Sequence, residues 1–472
     1  MIMRLKINFT KRIMRGCRTI GLYGMWLIFL LISFPVFAQQ NVEVSRRDTI
    51  RYGTDTEIAA LIQSLRTEKA DYLDEELSSL ALTSRNQSIL TGIFGFFGER
   101  EKSGLEQRAI NAVTDRFSET NETVIAALEY LGNLKFHESV PAIMELLDTE
   151  ERRFYYAGFR VIGKASSGNA QLADETAEFL INFYDNRNPG NENQSNIITA
   201  IGDTGSSAGV QFLANIVTNI DERLTLRIAA LGALSKIGDE DGLEAILSCI
   251  TTNDPNVRSA AVAALGPFSG AAVDSAILDA FRDSYYRSRI AAAQASGVRR
   301  LEAAVPYLRY RAERDDVPGV KDEAIRALGT IAGAQAIEVL ESLFFTRTNP
   351  ERVRLLSSEM LMRNSADVFF TRIAAELDEA KSRNQTNLYN GILKVVGEAA
   401  VQGDKAEVQR VAHNFMRNGA IIEKLYGLDM AANNGLTALR EEIIILARDR
   451  NETIKQRAIR AAERLGITIP NE

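Results

Sequence analysis

Nine glycines recur along this 472-residue chain at nearly constant intervals: Gly98, Gly132, Gly163, Gly202, Gly238, Gly266, Gly297, Gly329 and Gly397. Successive gaps are 34, 31, 39, 36, 28, 31, 32 and 68 residues, and Gly466 follows after 69, so the last two gaps each span two periods. A period in the low thirties is the length of one supersecondary unit and marks a stacked helical solenoid. One such unit cannot bury its apolar face alone, so neighbours share a continuous core. The chain therefore reads as a surface for partners rather than a pocket for chemistry.

Local signals agree with helices. Thr54 and Glu57 have the spacing of a capping box where the periodic pattern begins. No stretch alternates apolar and polar residues with period two, so no strands are expected. The clearest unit runs from Asp254 to Ser284. Asp254 is placed as N-cap and Pro255 as the first helical residue. Val257, Ala260, Ala261, Ala264 and Leu265 then form one apolar stripe, which Gly266 and Pro267 terminate. Val273, Ile277, Leu278 and Phe281 mark the apolar face of a second helix.

This unit resembles a HEAT repeat, of the bacterial HEAT-like kind also found in phycobilin lyases. The residues that carry the resemblance are Asp254-Pro255-Asn256-Val257-Arg258, Ala260-Ala261 and Ala263-Ala264-Leu265-Gly266. Weaker copies run from Arg227 to Asp239, from Ala324 to Gly329 and from Thr453 to Gly466; Asn349 to Arg354 repeats the opening but lacks the glycine near Asn364. The resemblance covers Thr54 to Ile467 and implies an all-α fold, a right-handed α-solenoid of about twelve stacked antiparallel helix pairs. The expected organisation is a signal peptide at 1–38, a linker at 39–53, N-terminal cap helices at 54–85 and HEAT-like repeats at 86–468. The resemblance also implies that second helices line a concave face. It further implies that an acid after the glycine bonds an Arg of the neighbouring repeat, a pattern that Asp203, Asp239 and Arg258 fit. Repeats of this kind serve many roles, so they specify fold and not activity. A lyase or chaperone-lyase is the enzymatic alternative the resemblance brings, but the sequence offers no cysteine or histidine cluster to handle a tetrapyrrole.

The first 38 residues differ from the rest. Arg4, Lys6, Lys11, Arg12, Arg15 and Arg18 precede an apolar run from Leu22 to Phe37, which ends in Val36-Phe37-Ala38. That is the pattern of a secretory signal peptide cleaved after Ala38. Export follows as an expectation, to a periplasm or, in a single-membrane host, to the exterior; a retained anchor is the alternative. Without these residues 49 basic side chains face 62 acidic ones, a net charge of about −13. So acidic a chain is not expected to bind nucleic acid. Cys249 would remain as the only cysteine, leaving no intramolecular disulfide.

No motif for nucleophilic, phosphate or metal chemistry is present, and no cofactor, metal or small-molecule substrate is expected. His137 and His413, the only histidines, stand far apart without acidic or cysteine neighbours at ligand spacing. Gly202-Asp203-Thr204-Gly205 reads as a tight turn needing positive φ. The apolar run Ile89–Phe97 reads as a core helix, with peripheral membrane attachment as the alternative.

One segment stands out. Between 282 and 314 lie Arg282, Arg287, Arg289, Arg299, Arg300, Arg309, Arg311 and Arg314, opposed by Asp283, Glu302 and Glu313, a net +5. Tyr285, Tyr286, Tyr307 and Tyr310 are interleaved. Arg300, Tyr307, Arg311 and Arg314 are spaced to share one helical stripe beside the apolar residues Leu301, Ala304, Leu308 and Ala312. Arg and Tyr are enriched at binding hot spots. Arg300, Tyr307, Tyr310, Arg311 and Arg314 are the expected anchors for a protein or an anionic envelope component. Arg152-Arg153-Phe154-Tyr155-Tyr156 is a second aromatic–basic cluster, expected to enter the core of its repeat.

Overall fold

In the computed structural model, residues 42–149, 151–187 and 189–470 are described, and the expected signal peptide and residues 39–41 lie outside them. Twenty-five α-helices and several short 3-10 turns make up the described residues, with no strand among them. The chain divides into two compact units, Met1–Ala200 and Ile201–Glu472.

Unit 1 contains α1 (42–52), α2 (Asp55–Glu68), α3 (Asp74–Thr83), α4 (Gln87–Glu99), α5 (Glu106–Thr114), α6 (Asn121–Asn133), α7 (Val140–Asp148), α8 (Tyr155–Ser166) and α9 (Ala170–Asn186). The division falls within α10 (Asn191–Thr204). Residues 42–52, expected as linker, are helical and tied down. Arg46 donates to Glu68 at 2.7 Å and to the Tyr72 hydroxyl at 2.6 Å, and Arg47 donates to Glu76 at 2.7 Å. Thr54 and Glu57 close the expected capping box at the start of α2. The run Ile89–Phe97 is core: Ile89, Leu90, Ile93, Phe94, Phe96 and Phe97 are all buried in α4. Of the second aromatic–basic cluster, Phe154 and Tyr155 are buried as expected, whereas Tyr156 is exposed beneath Arg160.

Unit 2 continues with α11 (Val210–Thr218), α12 (Leu224–Ile237), α13 (Leu243–Ser248), α14 (Pro255–Ala264), α15 (Ala271–Ala280), α16 (Tyr286–Val298), α17 (Val305–Arg314), α18 (Pro318–Ile331) and α19 (Ala334–Phe345). It closes with α20 (Glu351–Ser382), α21 (Thr386–Glu398), α22 (Ala406–Asn418), α23 (Ile421–Asn434), α24 (Arg440–Leu446) and α25 (Glu452–Leu465). Asp254 caps α14 as read, accepting from the Asn256 and Val257 amides at 2.8 and 3.1 Å.

First helices of successive repeats stack on one another: α4, α6 and α8 in unit 1, and α12, α14, α16, α18 and α20 in unit 2. The periodic glycines belong chiefly to this layer rather than to turns. Gly202 lies inside α10, and a Cβ there would sit 2.6 Å from the Ala233 Cα of α12. A Cβ on Gly132 in α6 would sit 2.6 Å from the Val161 Cβ of α8. The missing side chain lets two helix backbones approach closely, one period apart. Among the periodic glycines, only Gly238 and Gly466 are left-handed caps, at φ 69° and 67°. The reading of Gly202–Gly205 as a turn holds only at its end, where Gly205 has φ 72°.

Where the glycine is missing, asparagine takes over. Glu351–Ser382 is two helices merged across a kink at Ser365, whose φ of −151° and ψ of 49° are not helical. The adjacent Asn364 side-chain amide donates to Gly329 O at 2.7 Å and Met360 O at 2.9 Å, joining the repeat to its predecessor. Asn434 does the same towards Ala399 O and Met430 O, both at 2.9 Å.

Candidate functional site

Any binding surface on unit 2 must be separated from the contacts that hold its repeats together. Arg227, Arg258, Arg289, Lys321 and Arg354 occupy equivalent places on five successive first helices, 31, 31, 32 and 33 residues apart. Each donates to carbonyls at or just past the end of the preceding second helix. Arg227 reaches Val217 O at 3.0 Å, and Arg258 reaches Thr252 O and Asn253 O at 2.9 Å. Arg289 reaches Asp283 O and Ser284 O at 3.1 Å, Lys321 reaches Glu313 O at 3.1 Å, and Arg354 reaches Phe344 O at 2.8 Å. A cation there satisfies orphan carbonyls and opposes the helix dipole.

Three of the arginines also clasp an acid: Asp283 for Arg258 (2.9 Å), Asp315 for Arg289 (2.7 and 2.8 Å) and Glu376 for Arg354 (2.8 Å). Arg258 is thus the inter-repeat staple expected of it, and Asp203 is another, paired with Lys236 at 2.5 Å. Asp239 is not: its carboxylate accepts from the Asp241 amide at 3.0 Å and caps its own turn.

Two acids of this ladder, Asp315 and Asp283, are held ionised. Burial pushes the Asp315 carboxyl up, but Arg289 and the Val317 amide outweigh it and bring the pKa below the usual carboxylate range. Asp283 is lowered against the same opposing burial by Arg258 and the Tyr285 amide. A group whose pKa is depressed by folding stabilises the fold above its unfolded pKa, and this is lost as pH falls through the folded value. The denaturant midpoint of unit 2 should therefore be flat from neutrality to about pH 5 and fall below about pH 4. Asp315→Asn should flatten that acid limb; an unchanged pH profile in the variant would contradict this account of the pair.

The ladder changes the reading of the arginine-rich segment. Acids just outside the counted window fold back onto it. Arg299 pairs with Asp274, Arg282 with Asp279 at 2.9 Å, and Arg289 with both Asp315 and Asp316. Arg309 pairs with Glu313 at 3.0 Å, and Arg311 with Asp315 at 3.2 Å. Most of the expected +5 is neutralised in place; among the described residues Arg287, Arg300 and Arg314 remain exposed with no ion pair to an acid.

What the fold does bring together is an aromatic groove of about 410 Å³, lined by Phe281, Arg282, Pro306, Tyr307, Tyr310 and Arg311. Its floor is Phe281, buried at the end of α15 and stacked on Tyr307 with centroids 5.7 Å apart. The Arg282 guanidinium lies 5.3 Å from the Tyr307 ring and donates to the Tyr307 hydroxyl at 3.3 Å. Arg311 and Arg314 flank the Tyr310 ring at 5.3 and 5.7 Å. Tyr310 is half exposed at 51%. Ala304, Leu308 and Ala312 form the buried stripe beneath, whereas Leu301, read as part of it, is only half-buried.

Tyr307, Tyr310, Arg311 and Arg314 thus come together on α17. Arg300 does not join them. It lies outside that helix, in the turn after α16 with φ 49°, and does not line the groove. Phe281, Arg282 and Pro306 were missed as lining residues. The available signal was a repeat offset of 25–26 residues, which sets Phe281 and Arg282 beside Tyr307.

The reading also placed the surface on second helices only. A groove of about 560 Å³ crosses the first helices α12, α14 and α16, lined among others by Ile228, Ser259, Ala260, Arg287 and Ile290. Small side chains on α14 create it.

Among the described residues no group of three or more His, Cys, Asp or Glu is placed to hold a metal ion. His137 contacts Ser167 O at 3.0 Å, and His413 faces Glu442 at 3.1 Å. Cys249 is buried, its thiol 3.6 Å from Val217 O. No helix among the described residues is long and apolar enough to cross a membrane.

Several solved structures are similar to the chain at low identity. Karyopherin Kap121p is 12% identical over 89% of this chain and 53% of that one, with a TM-score of 0.44. Importin beta is 13% identical over 95% and 73%, with a TM-score of 0.41. Human deoxyhypusine hydroxylase in complex with glycerol is 15% identical over 58% and 98%, with a TM-score of 0.25. The chain thus spans about half the length of Kap121p, and no property of these proteins is carried over. No curated protein matches the sequence. The model of the spirochaete HEAT repeat proteins matches residues 50–462. With that match extending over most of its length, the chain belongs to the spirochaete HEAT repeat protein family.

Proposed function

We propose that this protein is an exported, non-enzymatic HEAT-repeat scaffold that holds a protein partner on its helical surface, anchored at the groove between α15 and α17. The observation that carries the proposal is the convergence there of Tyr307, Tyr310 and Phe281 with Arg282, Arg311 and Arg314. Solvated surface rarely concentrates rigid aromatics and guanidinium groups in one concavity, whereas interface anchors do. Tyr310 is half exposed and outside the buried core, so core packing does not account for an aromatic ring at that position.

The test is capture of partners from an envelope fraction by the purified protein, compared with the double variant Tyr310→Ala/Arg314→Glu. At least one captured protein should fall more than tenfold, about 1.4 kcal/mol, while the helical circular dichroism stays unchanged. An identical captured set from both proteins would refute the site. The same preparation tests export. Trp26 is the only tryptophan and lies in the expected leader, so processed protein should show no tryptophan emission. Tryptophan emission from protein recovered outside the cytoplasm would contradict cleavage.

A further inference from the structure

Resting on the reading of this groove as the anchor site, we infer that its occupant is an acidic peptide segment, in which a carboxylate stands beside an apolar side chain. The inference starts from which guanidinium groups are already committed. Arg289 is buried and spent on Asp315, Asp316 and two carbonyls. Arg311 donates to Asp315 and to Phe281 O, so it is fixed in place and serves as wall rather than as free charge.

Arg282 and Arg314 differ. The Arg282 side chain is 65% exposed and its acid, Asp279, is 69% exposed, a surface pair that a partner carboxylate can replace at little cost. Among the described residues Arg314 meets the Tyr310 ring, at 5.7 Å, and no acid. Arg282 lines the groove, Arg314 stands just outside the lining against the Tyr310 ring, and each lies over a tyrosine. That contact restricts each guanidinium, which favours bidentate capture of a carboxylate.

Between them the lining is apolar: Phe281, Pro306 and the Tyr307 and Tyr310 rings. A volume of about 410 Å³ is near the lower end for ligand sites and suits one anchoring side chain with its neighbours, not a whole helix. A basic segment would meet Arg282 and Arg314 as like charges. A purely apolar one would cover both guanidinium groups and offer neither a carboxylate. An acidic segment with an aromatic or proline side chain satisfies both the rim and the floor.

The probe is a fluorescein-labelled decapeptide of alternating glutamate and phenylalanine, titrated against the whole protein by fluorescence anisotropy. Two control peptides replace every glutamate with lysine or with glutamine. The glutamate peptide should bind at least tenfold more tightly than either control and weaken as salt rises from 50 to 300 mM. Arg282→Gln/Arg314→Gln should abolish that preference, and Tyr310→Ala should weaken all three peptides. Equal affinity for the three peptides, or no binding by any of them, overturns the acidic assignment. If that happens while Tyr310→Ala/Arg314→Glu still loses its captured protein, the anchor site stands and only its chemistry falls. If capture is also unchanged, the site falls with it.

Discussion

Replacing Arg289 with alanine should destabilise unit 2 by about 3–5 kcal/mol, the scale for breaking a buried ion pair from one side. The Asp315 side chain is fully buried and Arg289 is 7% exposed, so deletion strands a carboxylate that water cannot reach. Arg311 reaches the same carboxylate at 3.2 Å but is already committed to Phe281 O. The Asp283 and Ser284 carbonyls lose their donor as well. Arg289→Met with Asp315→Leu should recover part of the loss, because an apolar pair of similar volume is often tolerated. Recovery should be incomplete, since the two carbonyls stay uncapped. The check is urea denaturation followed by hydrogen exchange in α16 and α18, so that the change is read in this unit. A loss below about 1 kcal/mol would place the pair among surface salt bridges and contradict its structural role.

The second large effect is an inversion of sign. Glycine to alanine within an exposed helix normally stabilises, by up to about 1 kcal/mol. Gly232→Ala on α12 should do so, because a Cβ there meets nothing within 4 Å. Gly202→Ala should instead destabilise by about 1–3 kcal/mol, the range for overpacking. Its Cβ would lie 2.6 Å from the Ala233 Cα and 2.7 Å from the Ala233 Cβ. Neither atom is the far end of a flexible side chain, so the helices themselves must separate. Equal effects of the two substitutions, read from denaturant midpoints, would show that close approach of first helices is not what the periodic glycines provide.

The helices and their starts were legible because they rest on local chemistry. Thr54 with Glu57, and Asp254 before Pro255, cap helices through bonds two or three residues away. The glycine period was legible, but its purpose was misread. A glycine needed for positive φ and a glycine needed for a neighbour's backbone look alike in sequence, and Gly202 is the second kind. The charge of the arginine segment was misread for a related reason. A window counts neighbours along the chain, whereas the repeat pairs Arg299 with Asp274, Arg258 with Asp283 and Arg289 with Asp315, offsets of 25 or 26 residues. Counting charges at that offset would have separated the ladder from Arg314. The aromatic groove was half legible: Tyr307 belongs to the stripe that was read and Tyr310 was named beside it as an anchor, while Phe281 and Arg282 arrive from the preceding second helix.

The claim that partners dock between α15 and α17 is tested most directly by photo-crosslinking. Benzoylphenylalanine placed at position 310 and, as a control, at the exposed aromatic position 156 would be irradiated in the presence of the envelope fraction. The account predicts a discrete adduct from position 310, competed away by the glutamate–phenylalanine peptide, and none from position 156. The same adducts from both positions, or none from 310, would contradict it.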